Sequence, residues 1–301
     1  AEQGLVALGG TSAWFSSDGL DWQQAAVPEL PPDLLREDAY GGYFDAFSVD
    51  KMSMTAVAAS PDRIVAVGSA TLEWDLFTDE PLTRVVIWTS NDGRAWTEVP
   101  IDPDVFPPAE AAANRAGGPG VKIQDPGSRI DHIAWGPGGF VAIGSDGGEV
   151  IHGGPARETA IAVWVSEDGL EWERVPTGVF TSRYPNELKY ASPVLFGVEG
   201  VAAGPAGYVA VGSDGGCRFG FDPPRPCPAP SEVVIWTSSD GRSWTRVRSG
   251  PVFRPGRSGG QDGPPETQAH SVVPWGPRFV VVGAYARGAS VWISDPAPEP
   301  D

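Results

Sequence analysis

Four times the chain repeats a tryptophan, a serine, an Asp-Gly step and a second tryptophan: "WFSSDGLDW" from Trp14, "WTSNDGRAW" from Trp88, "WVSEDGLEW" from Trp164 and "WTSSDGRSW" from Trp236. A recurrent segment of this kind limits the fold more than any other property, because each copy must be one supersecondary unit repeated along the chain. The apolar residues flanking Asp-Gly are β-branched or aromatic, and Asp-Gly itself is a tight-turn signal, so each copy reads as a β-hairpin. A second repeated segment precedes the tryptophan hairpin in "MTAVAASPDRIVAVGS" (54 to 69), "IDHIAWGPGGFVAIGSD" (130 to 146) and "VEGVAAGPAGYVAVGSD" (198 to 214), and recurs in "HSVVPWGPRFVVVGA" (270 to 284). It is two β-rich runs around a Gly-Pro or Ser-Pro turn, which is another hairpin.

Two consecutive hairpins make four short antiparallel strands, the blade of a β-propeller. The repeats fall at about 5 to 28, 54 to 100, 130 to 176, 198 to 248 and 270 to 295, the last with a decayed tryptophan segment, "VWISDP". The expected fold is all-β, a single domain over 1 to 301 forming a five-bladed propeller. Its first blade lacks the innermost strand and its last lacks the outermost. Three readings of the seam stay open: an imperfect closure, a longer protein, or another chain supplying a strand. The third makes a homo-oligomer or an additional chain an expected partner.

The pattern Ser-x-Asp-Gly-x-x-Trp resembles the Asp-box of bacterial neuraminidase repeat proteins, a group that includes sialidases, sortilin-type receptors and some glycoside hydrolases. The matching residues are Ser16, Asp18, Gly19 and Trp22; Ser90, Asp92, Gly93 and Trp96; Ser166, Asp168, Gly169 and Trp172; and Ser238, Asp240, Gly241 and Trp244. The resemblance implies a structural turn between a blade's two outer strands, facing away from any active site. This chain departs from the common form by one residue fewer between Asp and Gly. Physical chemistry supports the structural reading: Asp accepts backbone N–H bonds, Gly takes a positive φ, and Trp packs while its N–H finds a carbonyl.

A formal charge of -18, with three lysines, offers no basic stripe for phosphate backbones and argues against nucleic acid. No apolar run reaches the length of a membrane-spanning helix. Cys217 and Cys227 flank the Pro-rich "CRFGFDPPRPC". A disulfide closing this loop is expected, and with it a secreted or cell-surface location with any signal removed.

Short turns and Asp-Gly boxes lie at one end of every blade, so the long segments 29 to 52, 70 to 83, 101 to 129, 147 to 159, 176 to 196, 215 to 231 and 248 to 269 lie at the other. Long loops on a rigid scaffold are where binding and catalysis concentrate. Aligning the first strands on their Gly-Pro turns makes Thr55, Asp131, Glu199 and Ser271 equivalent, close to the expected channel mouth. Asp131 and Glu199 are the candidate catalytic carboxylates, with cation binding or simple hydration as the other readings. His270 sits beside them. Tyr40, Tyr43 and Phe44 in "EDAYGGYFDAF", the isolated Trp74, and Arg183 with Tyr184 in "TSRYPNELKY" are candidate ligand contacts. The stretches "GSDGGEVIHGG" and "GSDGG" have the oxygen-rich composition of a calcium loop without the EF-hand spacing, leaving calcium as an open cofactor reading and turn chemistry as the other. Val105-Phe106, Val179-Phe180 and Val252-Phe253 recur after each fourth strand, which points to packing.

The function expected first is a propeller that binds a glycan, peptide or protein partner without catalysis. A glycoside hydrolase other than a standard sialidase is the alternative, and a structural assembly subunit the third reading. The sialidase arginine motif has only "DRIVAVG" (62 to 68) as its nearest string, without the proline.

Overall fold

Every repeat seen in the sequence becomes one antiparallel sheet. A computed structural model describes residues 4–27, 52–74, 81–107, 123–124, 127–146, 150–151, 160–182, 194–217, 231–248, 250, 253, 267–285 and 288–295. The first sheet is β1 (Leu5–Gly9), β2 (Ser12–Ser16) and β3 (Gln23–Gln24); the second is β4 (Met52–Ala59), β5 (Ile64–Trp74), β6 (Pro81–Ser90) and β7 (Thr97–Glu98). After β8 (Ile123–Gln124), the third sheet comprises β9 (Ser128–Gly136), β10 (Gly139–Asp146), β12 (Ala160–Ser166) and β13 (Glu173–Val175). Within it, β11 (Val150–Ile151) leaves to pair with β8 in a two-stranded ribbon. The fourth sheet is β14 (Val194–Gly204), β15 (Gly207–Cys217), β16 (Glu232–Ser238) and β17 (Thr245–Arg246); the fifth is β18 (Thr267–Trp275), β19 (Arg278–Tyr285) and β20 (Gly288–Ile293). Five sheets of three or four strands, in chain order and with a three-stranded first and last member, are the blades of a five-bladed β-propeller. The β8·β11 ribbon has no counterpart in the sequence reading. Among the described residues no helix is long and apolar enough to cross a membrane.

The chain divides into two compact units: Ala1–Ile133 with Gly144–Ala160 and Ser166–Glu173, and Ala134–Ile143 with Ile161–Val165 and Arg174–Asp301. The core of the first unit joins Ala13 and Ala25 of the first sheet to Met54, Ala66, Val86, Trp88 and Trp96 of the second. In the second unit one cluster joins Val141, Ile143, Val163 and Val165 to Tyr208, Ala210, Val234, Trp236 and Trp244. Another joins Val211 and Val233 to Ala269, Val272 and Val281. Trp88, Trp164 and Trp236 are fully buried in the third strand of their blades. Room for two of them comes from a small cross-strand partner, Ala66 opposite Trp88 and Ala210 opposite Trp236.

The four Asp-Gly turns are built alike. Ser16 Oγ donates to Asp18 Oδ1 at 3.1 Å and accepts from Gly19 N–H at 2.8 Å, while Asp18 Oδ1 accepts from the N–H groups of Leu20 and Asp21 at 2.8 and 3.0 Å. The turns at Ser90, Ser166 and Ser238 repeat these bonds. Gly19, Gly93, Gly169 and Gly241 take φ of 81°, 75°, 80° and 76°, a region other residues rarely enter. The accepted N–H bonds hold all four carboxyls below their ordinary 3.8; the largest contributors are Asp21, Arg94, Leu170 and Ser243 respectively. Trp22, Trp172 and Trp244 close the turn by donating Nε1–H to the carbonyl of the box glycine. Trp96 departs from the expected pattern: its Nε1 is buried and has no acceptor among the described residues.

Each connecting phenylalanine plugs the next blade. Phe106, after the second sheet, meets Trp172 of the third edge-on at 6.4 Å between centroids. Phe180, after the third, stacks on Trp236 at 4.9 Å, and Phe253, after the fourth, lies 5.9 Å from Trp292. The recurring Val-Phe is therefore a packing device.

Tyr208 ties the fourth sheet to the β9–β10 turn: its hydroxyl donates to Gly139 O at 2.7 Å and accepts from Gly138 N–H at 2.9 Å. Tyr208→Phe leaves both backbone groups without this partner and is expected to cost about 1–3 kcal/mol, measured by denaturant unfolding at neutral pH. Burial pushes the Tyr208 hydroxyl above its ordinary 10.0. The folded state thus keeps a proton that the unfolded chain loses, and that stabilisation is present below pH 10 and lost as pH rises through the folded value. The variant should therefore lose less stability than the wild type on going above pH 10.

A charged rung recurs at fixed register positions. In the second sheet Arg84, opposite Ala70, bonds Glu98 at 3.0 Å. In the fourth sheet Glu232, opposite Asp214, takes the place of Arg84, and Arg246 takes the place of Glu98, each of the latter two lying opposite the central tryptophan. Arg246 reaches Asp214 at 2.7 Å and Glu232 at 3.7 Å. The signs are exchanged between the two blades.

Candidate functional site

Three of the innermost strands, β4, β14 and β18, slip out of register at the same place. Pairing slips between Met54 and Ala56, between Val198 and Gly200, and between Ala269 and Ser271, so that Thr55, Glu199 and His270 are extra residues on β-bulges. In each case the facing position of the second strand is glycine. A Cβ on Gly68 would run into the Ser53 carbonyl, on Gly212 into that of Gly197, and on Gly283 into that of Gln268. Gly144 stands in the same relation to Arg129 O, with Ile130 Cα only 2.8 Å from the site of its Cβ, which marks Asp131 as the matching residue of β9. The glycine of the Val-Gly or Ile-Gly step in each second strand is therefore the cause of the close approach: only a residue without Cβ lets the two backbones come this near.

One position per inner strand thus holds Thr, Asp, Glu or His, and the four differ in what already engages them. Thr55 Oγ1 lies 3.1 Å from Val67 O and 3.0 Å from Ile130 O, so its single proton is held between two carbonyls. Asp131, half-buried, is gripped by the Arg129 fork, Nε to Oδ1 at 2.9 Å and Nη2 to Oδ2 at 3.2 Å. Glu199 is exposed and has no ion pair among the described residues. His270 is exposed on β18. Within the second unit β14 and β18 come together at their bulges: a Cβ on Gly200 would be 3.4 Å from Val272 N and 3.5 Å from Ser271 Cα. Glu199 and His270 immediately precede that contact.

The structure corrects the sequence alignment here. Ser271, aligned with Glu199 by counting from the Gly-Pro turn, pairs regularly with Val282, and His270 takes the bulge. The fifth hairpin reads "GPRF" where the fourth reads "GPAGY", one residue shorter. Its two-residue turn moves back to Gly276 and Pro277, so the pairing register moves by one residue. A second correction concerns Trp74, read as part of a long loop: its backbone ends β5, paired with Pro81. Residues 70–74 and 81–83 are thus paired strand rather than loop. Tyr40, Tyr43, Phe44, Arg183 and Tyr184 lie outside the described residues, as does Cys227, so the disulfide with Cys217 does too.

The two "GSD" stretches that looked like calcium loops have another use. Asp146 accepts from Ser128 Oγ at 2.8 Å. Asp214, fully buried, accepts from Ser182 Oγ at 2.6 Å and pairs with Arg246, which also donates to Thr181 O at 2.7 Å. Among the described residues no three His, Cys, Asp or Glu side chains are placed to hold a metal ion. The Asp214–Arg246–Glu232 network escaped the sequence reading. Its only signal is a charge at the end of the second strand and another one residue beyond the threonine that follows the box tryptophan.

No family model and no curated protein matches the chain. Among solved structures it is similar to a member of the GH130 mannoside phosphorylase family, which contains glycoside hydrolases targeting β-1,2 mannosidic linkages in Candida mannan. That likeness has 18% identity, 95% of this chain and 76% of that one covered, and a TM-score of 0.37. It is also similar to a glycosyl hydrolase from Bacteroides ovatus (16% identity, 95% and 76% covered, TM-score 0.36) and to the α-L-arabinanase of Cellvibrio cellulosa with arabinohexaose (12% identity, 96% and 86% covered, TM-score 0.34). These matches correct the first functional expectation. The proteins concerned are glycoside hydrolases and not non-catalytic binding modules, so they run against that expectation; they give this chain no activity of its own.

Proposed function

We propose that this chain is a glycoside hydrolase whose acid/base chemistry is carried by the inner-strand bulges. The supporting observation is that glycine-enforced bulge, which presents a chosen polar side chain at one register position per blade. Glycosidic cleavage needs two carboxyl groups: one protonates the leaving oxygen, and the other activates water or attacks the anomeric carbon. Glu199, exposed and without an ion pair among the described residues, suits the acid/base role. Asp131, held by Arg129 in the first unit, occupies the same register position on its own strand and is tested by its own variant. His270 follows Glu199 on the neighbouring bulge as a contact for substrate hydroxyls. The resemblance of the Asp-Gly turns to the Asp-box accords with this class, and those turns serve only the scaffold. The expected Cys217–Cys227 disulfide supports a location outside the cell.

The test is turnover of a panel of nitrophenyl glycosides and of mannan, arabinan and sialoside oligosaccharides. Wild-type hydrolysis is expected, with kcat reduced about 10²-fold in Glu199→Gln and separately in Asp131→Asn. No turnover by folded protein across the panel, or variants as active as wild type, would remove the proposal.

A further inference from the structure

The four Asp-Gly steps carry a chemical liability unconnected with glycoside chemistry. In such a step the glycine nitrogen can attack the aspartate Cγ. A C–N bond forms, a carboxyl oxygen departs as water with the amide proton, and a five-membered succinimide results. Water then reopens the ring at either carbonyl. Opening at the main-chain carbonyl routes the backbone through the side chain and yields isoaspartate, with no net change in mass. The reaction needs no reagent but water, and it needs the glycine nitrogen free to lose its proton and turn toward Cγ.

In the folded protein all four nitrogens are occupied. Gly19, Gly93, Gly169 and Gly241 donate to the box serine Oγ at 2.8, 2.9, 2.8 and 2.8 Å, and the aspartate Oδ1 atoms are tied to the following N–H groups. Attack therefore waits for the turn to open, and its rate follows the cost of that local opening. The turns differ in this respect. Gly93, Gly169 and Gly241 are buried, whereas Gly19 is half-buried. A Cβ on Gly93 would meet Val6 and Phe15 of the preceding sheet, and on Gly241 it would meet Val141 of the preceding sheet; on Gly19, among the described residues, it would meet Leu5 Cδ1 from its own sheet. The closing Trp22 is 42% exposed against 5% for Trp96 and 7% for Trp244, and Leu20 between them is 84% exposed. Among the described residues, the turn of the three-stranded first sheet has the least cover.

We propose that Asp18-Gly19 is this chain's site of spontaneous isoaspartate formation, and that the other three Asp-Gly steps are shielded by their blades. Isomerisation there adds a backbone atom to the turn, so the N–H groups of Leu20 and Asp21 lose their acceptor and β3 is released from β2.

The experiment is incubation of the folded protein at 37 °C and neutral pH. Peptide mapping, with protein isoaspartyl methyltransferase as the probe, gives the isoaspartate content at each site. Isoaspartate at Asp18 is expected to accumulate at least fivefold faster than at Asp92, Asp168 or Asp240. In strong denaturant the four rates should converge. Ser16→Ala, which frees the Gly19 nitrogen, should raise the Asp18 rate further and leave Asp92 unchanged. Equal rates in the folded protein, a faster site elsewhere, or an Asp18 excess that survives in denaturant would each overturn the proposal. A Ser16→Ala rate no higher than wild type would do the same.

Discussion

Gly212→Ala is expected to destabilise the protein by about 4 kcal/mol and to abolish whatever activity depends on Glu199. The new Cβ would collide with the Gly197 carbonyl oxygen and sit 3.1 Å from Val198 Cα. Both obstacles are backbone, so no rotamer change relieves them, and β14 must either move away from β15 or lose its bulge. Loss of the bulge would shift the register and carry Glu199 to the opposite face of the sheet. Denaturant unfolding reads the first effect and glycoside turnover the second. Gly178→Ala is the matched control, because nothing lies within 4 Å of its Cβ position, and it should be close to neutral. A Gly212→Ala protein as stable as that control would mean that the bulge is not enforced by the glycine.

Arg246→Met should cost about 3–5 kcal/mol, because it removes the cation from Asp214, which has no exposed surface, and from the buried Glu232. Methionine keeps much of the packing over Trp236, so the loss reports charge rather than volume. Adding Asp214→Asn and Glu232→Gln to Arg246→Met should recover most of the loss, since no unpaired buried charge remains. If the single variant unfolds within 1 kcal/mol of wild type, water reaches these carboxylates and the network is a surface one.

What the sequence revealed, and what it concealed, follows from the range of each interaction. The Asp-Gly turns were legible in detail because every bond in them joins residues at most three apart, from Ser90 to Gly93 or from Asp92 to Ala95. The phenylalanine plugs were legible as a recurrence, although not their partners, because Phe180 meets Trp236 across a separation that spacing alone does not encode. The bulges were hidden, since each depends on a glycine in a neighbouring strand. The inner-strand position was nearly right from turn counting alone and went wrong at Ser271, where one missing turn residue moved the register. Trp74 was assigned to a loop because its segment carries charges and a proline, but its backbone pairs with Pro81 in the β5–β6 hairpin. Asp214 was read as loop chemistry because its sequence neighbours are glycines and its partner Arg246 lies two strands away.

The exchanged signs of the charged rung bear on how a chain of near-identical repeats finds its own partners while folding. β6 and β16 share the segment "VIWTS" and would fit each other's outer neighbours by shape. Were β6 to pair with β17, Arg84 would face Arg246; were β16 to pair with β7, Glu232 would face Glu98. Either exchange brings like charges together in the half-buried setting where the native blades hold opposite ones, and such juxtapositions cost several kcal/mol. Tandem repeats are prone to cross-blade strand exchange on the way to the native state. The permuted ion pair acts as an address, making each outer hairpin fit for one blade and unfit for the other.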